Sequence, residues 1–190
     1  MNSPRRLTNV VGFDDGPFAR DRPGARVRVV GAVCARGRLD GVISGHVRKD
    51  GRDATTRLAA LVLDSPFDRH IRAVLLDGIT LCGFNVVDIH ALSEAIARPV
   101  LAITRRLPRF ELIRAALSKM SGGDRRWAAI ERAGPPEPVA GLYVQRAGLT
   151  LDETRNLLAA TTLHGKLPEP IRLAHLIAGG IVTGTSHGRA

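Results

Sequence analysis

Val10–Pro17 reads VVGFDDGP, and Ile71–Gly78 reads IRAVLLDG. Each is a short apolar run that stops at aspartate and glycine, the punctuation of a strand running into a turn. A single Asp-Gly after a strand is usually only a turn. Here the ending occurs twice, and a third acid, Asp53, opens the first helix between the two runs. That repetition, more than either instance, decides how the chain is read.

Working outward, Thr8–Phe13 is the first expected strand, with Asp14 and Asp15 at its C-terminal end and Gly16-Pro17 turning the chain. Val27–Cys34 and Gly41–Val47 are rich in β-branched residues and flank the turn Arg36-Gly37-Arg38, so they read as a hairpin. From Asp53 the period changes: Leu58, Leu61 and Val62 recur at helical spacing, Asp53 with Thr55 and Thr56 supplies N-cap chemistry, and Ser65-Pro66 ends the helix. Ile71–Leu76 and Pro99–Thr104 read as buried strands around a helix at Val86–Ala97. Arg109–Met120 follows as an amphipathic helix, then a short helical piece at Trp127–Arg132, a turn or linker at Gly134–Pro138, and a short strand at Gly141–Gln145. Helices at Thr150–Thr161 and Pro168–Ala178 close the chain. This order predicts an α/β fold, a mixed sheet with an antiparallel leading meander and parallel strands joined by crossover helices. In its commonest arrangement the first and fourth strands are neighbours, so Asp14 and Asp77 meet.

At 190 residues the chain has room for one domain, taken as 1–190. The longest nearly uncharged stretch, Leu173–Ser186, is shorter than the ~20 residues of a membrane span. The apolar run after Arg5 and Arg6 ends too soon for a signal-peptide core, so a cytoplasmic protein is expected. Cys34 and Cys82 sit in apolar strings and read as buried thiols, not a disulfide or zinc site. The 28 Lys+Arg against 18 Asp+Glu leave a net charge of +10, and every cation except Lys49, Lys119 and Lys166 is arginine. Arginine's planar fork suits phosphate, although a GC-rich genome writes the same excess. Few aromatics are present, so arginine contacts to a backbone, not base stacking, would dominate nucleic-acid binding.

Clustered carboxylates repel unless a cation neutralises them. A hard ion such as Mg²⁺ takes oxygen ligands and needs only one or two carboxylates beside waters and substrate phosphate.

Four strings, VVGFDDGPF (Val10–Phe18), DGRDAT (Asp50–Thr55), LLDGITLCGFNVVDI (Leu75–Ile89) and KLPEPIRLAHLIAGGI (Lys166–Ile181), closely resemble the endonuclease dU family. That family is similar to endonuclease V, a member of the ribonuclease H-like superfamily. The resemblance implies a ribonuclease H-like fold and a metal-dependent DNA endonuclease, with deoxyuridine-containing or otherwise damaged DNA as substrate and Mg²⁺ or Mn²⁺ as cofactor. It implies that Asp14, Asp53 and Asp77 are the catalytic metal ligands, with Asp15 as an auxiliary acid. Two departures are visible. Where endonuclease V has a Pro-Tyr-(Ile/Val)-Pro wedge, this chain has Arg48-Lys49-Asp50-Gly51-Arg52. Where endonuclease V has a histidine before its late helix, Arg146–Leu149 has none.

Gly83 and Asn85 could offer backbone N–H groups to a phosphate at a helix start, or Asn85 could simply cap that helix. Arg48, Lys49, Arg52, Arg105 and Arg106 complete the expected phosphate and nucleic-acid contacts. Asp50 suits a turn and Asp88 a helix. His175, in an apolar helix, reads as packed; His187 is the better alternative ligand. The expected partner is DNA, with RNA open; the oligomeric state is left open, a monomer being slightly favoured. Two other readings stand beside the nuclease: a non-catalytic nucleic-acid-binding module on the same scaffold, and an enzyme of small phosphorylated molecules.

Overall fold

The computed structural model describes residues 7–19, 21–22 and 24–187. The N-terminal stretch bearing Arg5 and Arg6 lies outside them. β1 (Asn9–Asp15) carries both acids within the strand. β2 (Arg26–Ala35) and β3 (Arg38–Arg48) form the expected antiparallel hairpin, from Arg26 opposite Arg48 to Ala35 opposite Arg38. After α1 (Ala54–Leu63), β4 (Ala73–Asp77) lies parallel to β1, with Val10 opposite Ala73 and Phe13 opposite Leu76.

The chain then does something that hydrophobic periodicity does not announce. β5 (Thr80–Leu81) and β6 (Asn85–Val86) form a small separate hairpin, so Val86 belongs to a strand and not to the helix. α2 (Ile89–Ile96) starts only after Asp88, whose carboxylate accepts the Ala91 N–H at 3.0 Å. Asp88 is therefore an N-cap, and Asn85 does not cap this helix.

β7 (Val100–Thr104) pairs parallel to β4. α3 (Phe110–Leu117) and α4 (Gly123–Ala133) follow, the second longer than the short piece expected around Trp127. Part of the GPPEP stretch, read as a turn, is β8 (Glu137–Val139), which edges the sheet against β9 (Leu142–Ala147). α5 (Leu151–Thr161) opens with a capping box between Thr150 and Glu153, and α6 (Glu169–Thr183) ends the described chain.

Seven strands make one mixed sheet in the order β3-β2-β1-β4-β7-β9-β8, so β1 and β4 are adjacent near its middle. Each face carries a core. Val11, Phe13, Val74 and Leu76 pack with Leu58 and Val62 of α1 and Ile89 and Leu92 of α2. Val10, Ala73 and Leu75 pack with Leu157 and Leu158 of α5 and Ile171 of α6. Burial from both sides is why β4 reads as continuous apolar sequence without alternation. Each such fully buried aliphatic side chain contributes about 1.5–3 kcal/mol.

One contact sets the position of α6. A Cβ on Gly12 would lie 2.3 Å from the Pro170 carbonyl carbon and 2.5 Å from the Ile171 nitrogen. Only glycine lets the first turn of α6 press onto β1, and one turn later His175 arrives over Asp14. Among the described residues no helix is long and apolar enough to cross a membrane.

Candidate active site

Pairing of β1 with β4 runs to Phe13 opposite Leu76, so the next residues, Asp14 and Asp77, leave adjacent strands on the same face. Neighbouring strands lie about 4.8 Å apart, which brings the two carboxylates within mutual influence. Gly78 follows at φ +83°, the left-handed conformation that turns the chain away from the strand end.

Asp14 is 5% exposed. Its Oδ2 lies 2.7 Å from Nδ1 of His175, and its Oδ1 accepts the Asp15 N–H at 2.8 Å. Burial, and then the charge of Asp14, push Asp77 up to about 6, while Arg105 and His175 pull against the rise. The hydrogen bond to Asp14 holds the His175 imidazolium above its usual pKa, with the charges of Asp14 and Asp77 adding to the effect. The expectation for His175 is corrected: its side chain is 63% exposed and turned to the acids, not packed. Sequence carried a signal for this. Glu169, Arg172 and His175 recur every three residues, a polar stripe beside the buried stripe of Ile171, Ala174 and Ala178.

Asp15 points to the opposite face, as strand alternation requires. Its Oδ2 accepts the Cys82 N–H at 2.6 Å, and burial, then Asp14, raise it to about 6. Cys82 is fully buried, and burial followed by the nearby Asp15 charge keeps its thiol protonated. The charge of Asp53 also acts on Cys82, and its side chain is engaged by the loop around it. Its Oδ1 accepts the Arg48 N–H at 3.2 Å and Nδ2 of Asn85 at 2.8 Å, and its Oδ2 is 3.9 Å from Nε of Arg57. Although Asp53 occupies the N-cap position of α1, its side chain caps no helical N–H.

That cap is supplied from elsewhere. Asn85 is completely buried, accepts the Ala54 N–H at 3.1 Å and donates to the Arg48 carbonyl at 2.9 Å. It is a strut between loops and is out of reach of a phosphate. Gly83 is likewise closed: a Cβ there would meet Oδ1 of Asp50 at 2.4 Å, and that carboxylate accepts the Phe84 N–H. Lys49 is 8% exposed and 3.6 Å from Asp50, so it too is withdrawn from solvent. Arg126 fastens the same loop by donating to the carbonyls of Asp50 and Gly51. The segment where a wedge is absent is thus a braced clasp. Of the expected cationic contacts, Arg48, Arg52, Arg105 and Arg106 keep exposed side chains.

Beside the acid pair a hollow of about 200 Å³ is lined by Asp77, Arg105, Arg172, His175 and His187, with Leu167 and Leu176. Arg172 is braced by Glu169 at 2.8 Å, which holds the Glu169 carboxyl below its usual range.

The sequence profile of the family described as Endonuclease dU matches residues 6–182. The chain belongs to the endonuclease dU family. A UPF0215 protein of Deinococcus radiodurans is 51% identical over 185 residues, covering 97% of this chain and 94% of that one. A crystal structure of a protein of unknown function from Archaeoglobus fulgidus superposes with a TM-score of 0.86 at 35% identity, over 93% of this chain and 99% of that one. Endonuclease V of Ciona intestinalis, crystallised with a 24mer DNA containing an inosine followed by a ribo-adenosine, gives a TM-score of 0.56 at 12% identity, over 89% and 83%. At that identity the fold alone is shared. The seven-stranded mixed sheet of this endonuclease dU family member is ribonuclease H-like, as the sequence resemblance implies.

A divalent ion suits the donor set. Burial and the charge of Asp14 raise the proton affinity of both Asp77 and Asp15, the sign of a place short of positive charge. Among the described residues no three His, Cys, Asp or Glu side chains form a ready-made metal cage. A hard ion that keeps its waters and takes substrate oxygens does not require one.

Proposed function

We propose that this endonuclease dU family member is a metal-dependent DNA endonuclease that hydrolyses phosphodiester bonds at the Asp14–Asp77 pair. One observation carries the reading: the β1–β4 register sets these acids side by side at strand ends, under His175 and beside Arg105. Asp14 and Asp77 would hold Mg²⁺ or Mn²⁺, with Asp15 as an adjunct from the opposite face. The chemistry available from an ion held there is polarisation of a phosphoryl oxygen and activation of water.

The chain's own residues supply the rest. Asp14 engages Nδ1 of His175 and so leaves Nε2 to give or take a proton at a departing or attacking oxygen. Arg105 and Arg106 follow β7 directly and meet the phosphate diester, as does Arg172, held in place by Glu169. Asp53 braces the clasp, one of its oxygens taken by the Arg48 N–H and the Asn85 amide, so its contribution to the ion is secondary. The family's description, Endonuclease dU, supports deoxyuridine-bearing DNA as the substrate.

The test is cleavage of a labelled duplex carrying one deoxyuridine, with Mg²⁺ and with Mn²⁺, by wild type, Asp14→Asn and Asp77→Asn. Loss of at least ~100-fold in rate in both variants is expected; cleavage at the wild-type rate sinks the assignment. The engagement of Asp53 in structural hydrogen bonds favours a second reading, a nucleic-acid-binding module without catalysis. DNA binding by wild type with no cleavage under either ion would select it.

A further inference from the structure

Asp14 pairs with Val30 on β2, and Val30 pairs with Ser44 on β3, so these three residues form one row on the α6 face of the sheet. One step further along the same face, Arg28 lies opposite His46, and beyond them Arg26 lies opposite Arg48. Arg28 reaches across to donate to Oγ of Ser44 at 3.3 Å. Three arginines and a histidine are therefore stacked on the outer hairpin, one or two strand spacings across from β1 and two to four residues along it, which is roughly 8–17 Å from Asp14.

α6 packs over β1, β2 and β4, and at this end of β3 Ser44 and Arg48 are exposed. Among the described residues no carboxylate lies within ion-pair distance of Arg26, Arg28 or Arg48; the ion pairs lie elsewhere in the molecule. Burial, then the charges of Arg28 and Arg26, hold the His46 imidazolium below its usual pKa, as expected where like charges are crowded without relief. On the other side of the acid pair stand Arg105 and Arg106. Cations thus flank the acids on both sides, along a line that crosses the carboxyl end of the central strands.

We propose that Arg26, Arg28, His46 and Arg48 form a phosphate track that carries a DNA backbone from the acid pair to the open edge of β3. Charge complementarity selects the partner: an uncompensated row of arginine forks on a flat sheet face fits successive phosphates of a nucleic-acid strand. This rests on the reading of the acid pair as a DNA-cleaving site and extends it to the residues that align the substrate there.

The experiment measures affinity of the full chain for a labelled 24-base-pair DNA duplex, between 50 and 200 mM salt in EDTA, by fluorescence anisotropy. Arg26→Gln/Arg28→Gln should weaken binding roughly 10- to 100-fold at 0.1 M salt and lower the slope of log affinity against log salt by about 2, since each lost phosphate contact removes about 0.9. Arg26→Lys/Arg28→Lys should keep the wild-type slope, which separates lost charge from lost folding. Arg36→Gln/Arg38→Gln makes the same charge change at the far end of this hairpin and should leave the slope unaltered. If the Gln pair binds with wild-type affinity and slope while wild type binds DNA, the track is wrong and the nuclease reading stands. If wild type itself fails to bind the duplex, both fall.

Discussion

Two groups of acids lie either side of the same pair of strand ends, and they are handled in opposite ways. On one side Asp50 and Asp53 are absorbed into a clasp, where backbone N–H groups, the Asn85 amide and Lys49 meet their oxygens. On the other, Asp14 meets the Asp15 N–H and His175, and Asp77, standing against Asp14, is pushed up to about 6. A carboxylate that has been given donors contributes to folding. One left against another carboxylate is costly to the folded state and is available to an added cation. The comparison separates acids that hold the structure from acids that the structure holds ready.

The largest expected effect tests that separation directly. Asp14→Asn and Asp77→Asn should each lose at least ~100-fold in cleavage rate, whereas Asp53→Asn should lose less than ~10-fold, since one oxygen of Asp53 is already committed to two donors. Equal losses at all three positions, measured under single-turnover conditions, would merge the two groups. Next, Asn85→Ala removes a buried amide that serves three partners and should destabilise the protein by about 2–4 kcal/mol, read from urea unfolding. Asp77→Asn should do the reverse in the absence of metal. It relieves a crowded charge and should raise stability at pH 8 by about 1–3 kcal/mol.

A third effect is pH dependence. Asp15 and Asp77 titrate near 6 in the folded chain but near 3.8 unfolded, so between these values the folded state binds more protons and stability falls as pH rises. His175 works in the same direction, since its raised pKa stabilises at low pH and that contribution is lost as pH climbs through the folded value. Metal-free protein should therefore be more stable at pH 5 than at pH 8, and millimolar Mn²⁺ should reduce or invert the difference. A melting curve that does not move with pH would show that the acids are not crowded. The smallest expected effect contrasts two cations: Arg105→Gln should lower the salt slope of DNA binding by about 1 and Lys49→Gln by none, because Lys49 is buried against Asp50.

Much of this is legible in the sequence. The two Asp-ended strands, their parallel adjacency, the leading hairpin and the closing helices all follow from apolar periodicity and turn residues. The miniature hairpin at Thr80–Val86 did not, because two-residue strands have no period to detect, and its presence moved the start of α2 to Ile89. Gly83 and Asn85 were misread for the same reason. A Gly-Phe-Asn run before a helix looks like an anion cradle, yet the Ala54 N–H, the Asp50 carboxylate and the Arg48 carbonyl that occupy it come from some thirty residues earlier. The apolar character of its helix predicts a packed His175; its exposure depends on which side of α6 rests on β1.

The sequence by itself determined the order of elements, the basic surplus and the ends of strands at which Asp14 and Asp77 stand, since hydrophobic pattern and turn chemistry act over a few neighbouring residues. Only the tertiary structure decided which acids share a site. That choice rests on register and close approach between distant segments: Phe13 opposite Leu76 sets Asp14 beside Asp77, and Gly12 beneath Pro170 lets α6 bring His175 to them. Spacing along the chain carries no trace of either contact, because both depend on how far two backbones can approach.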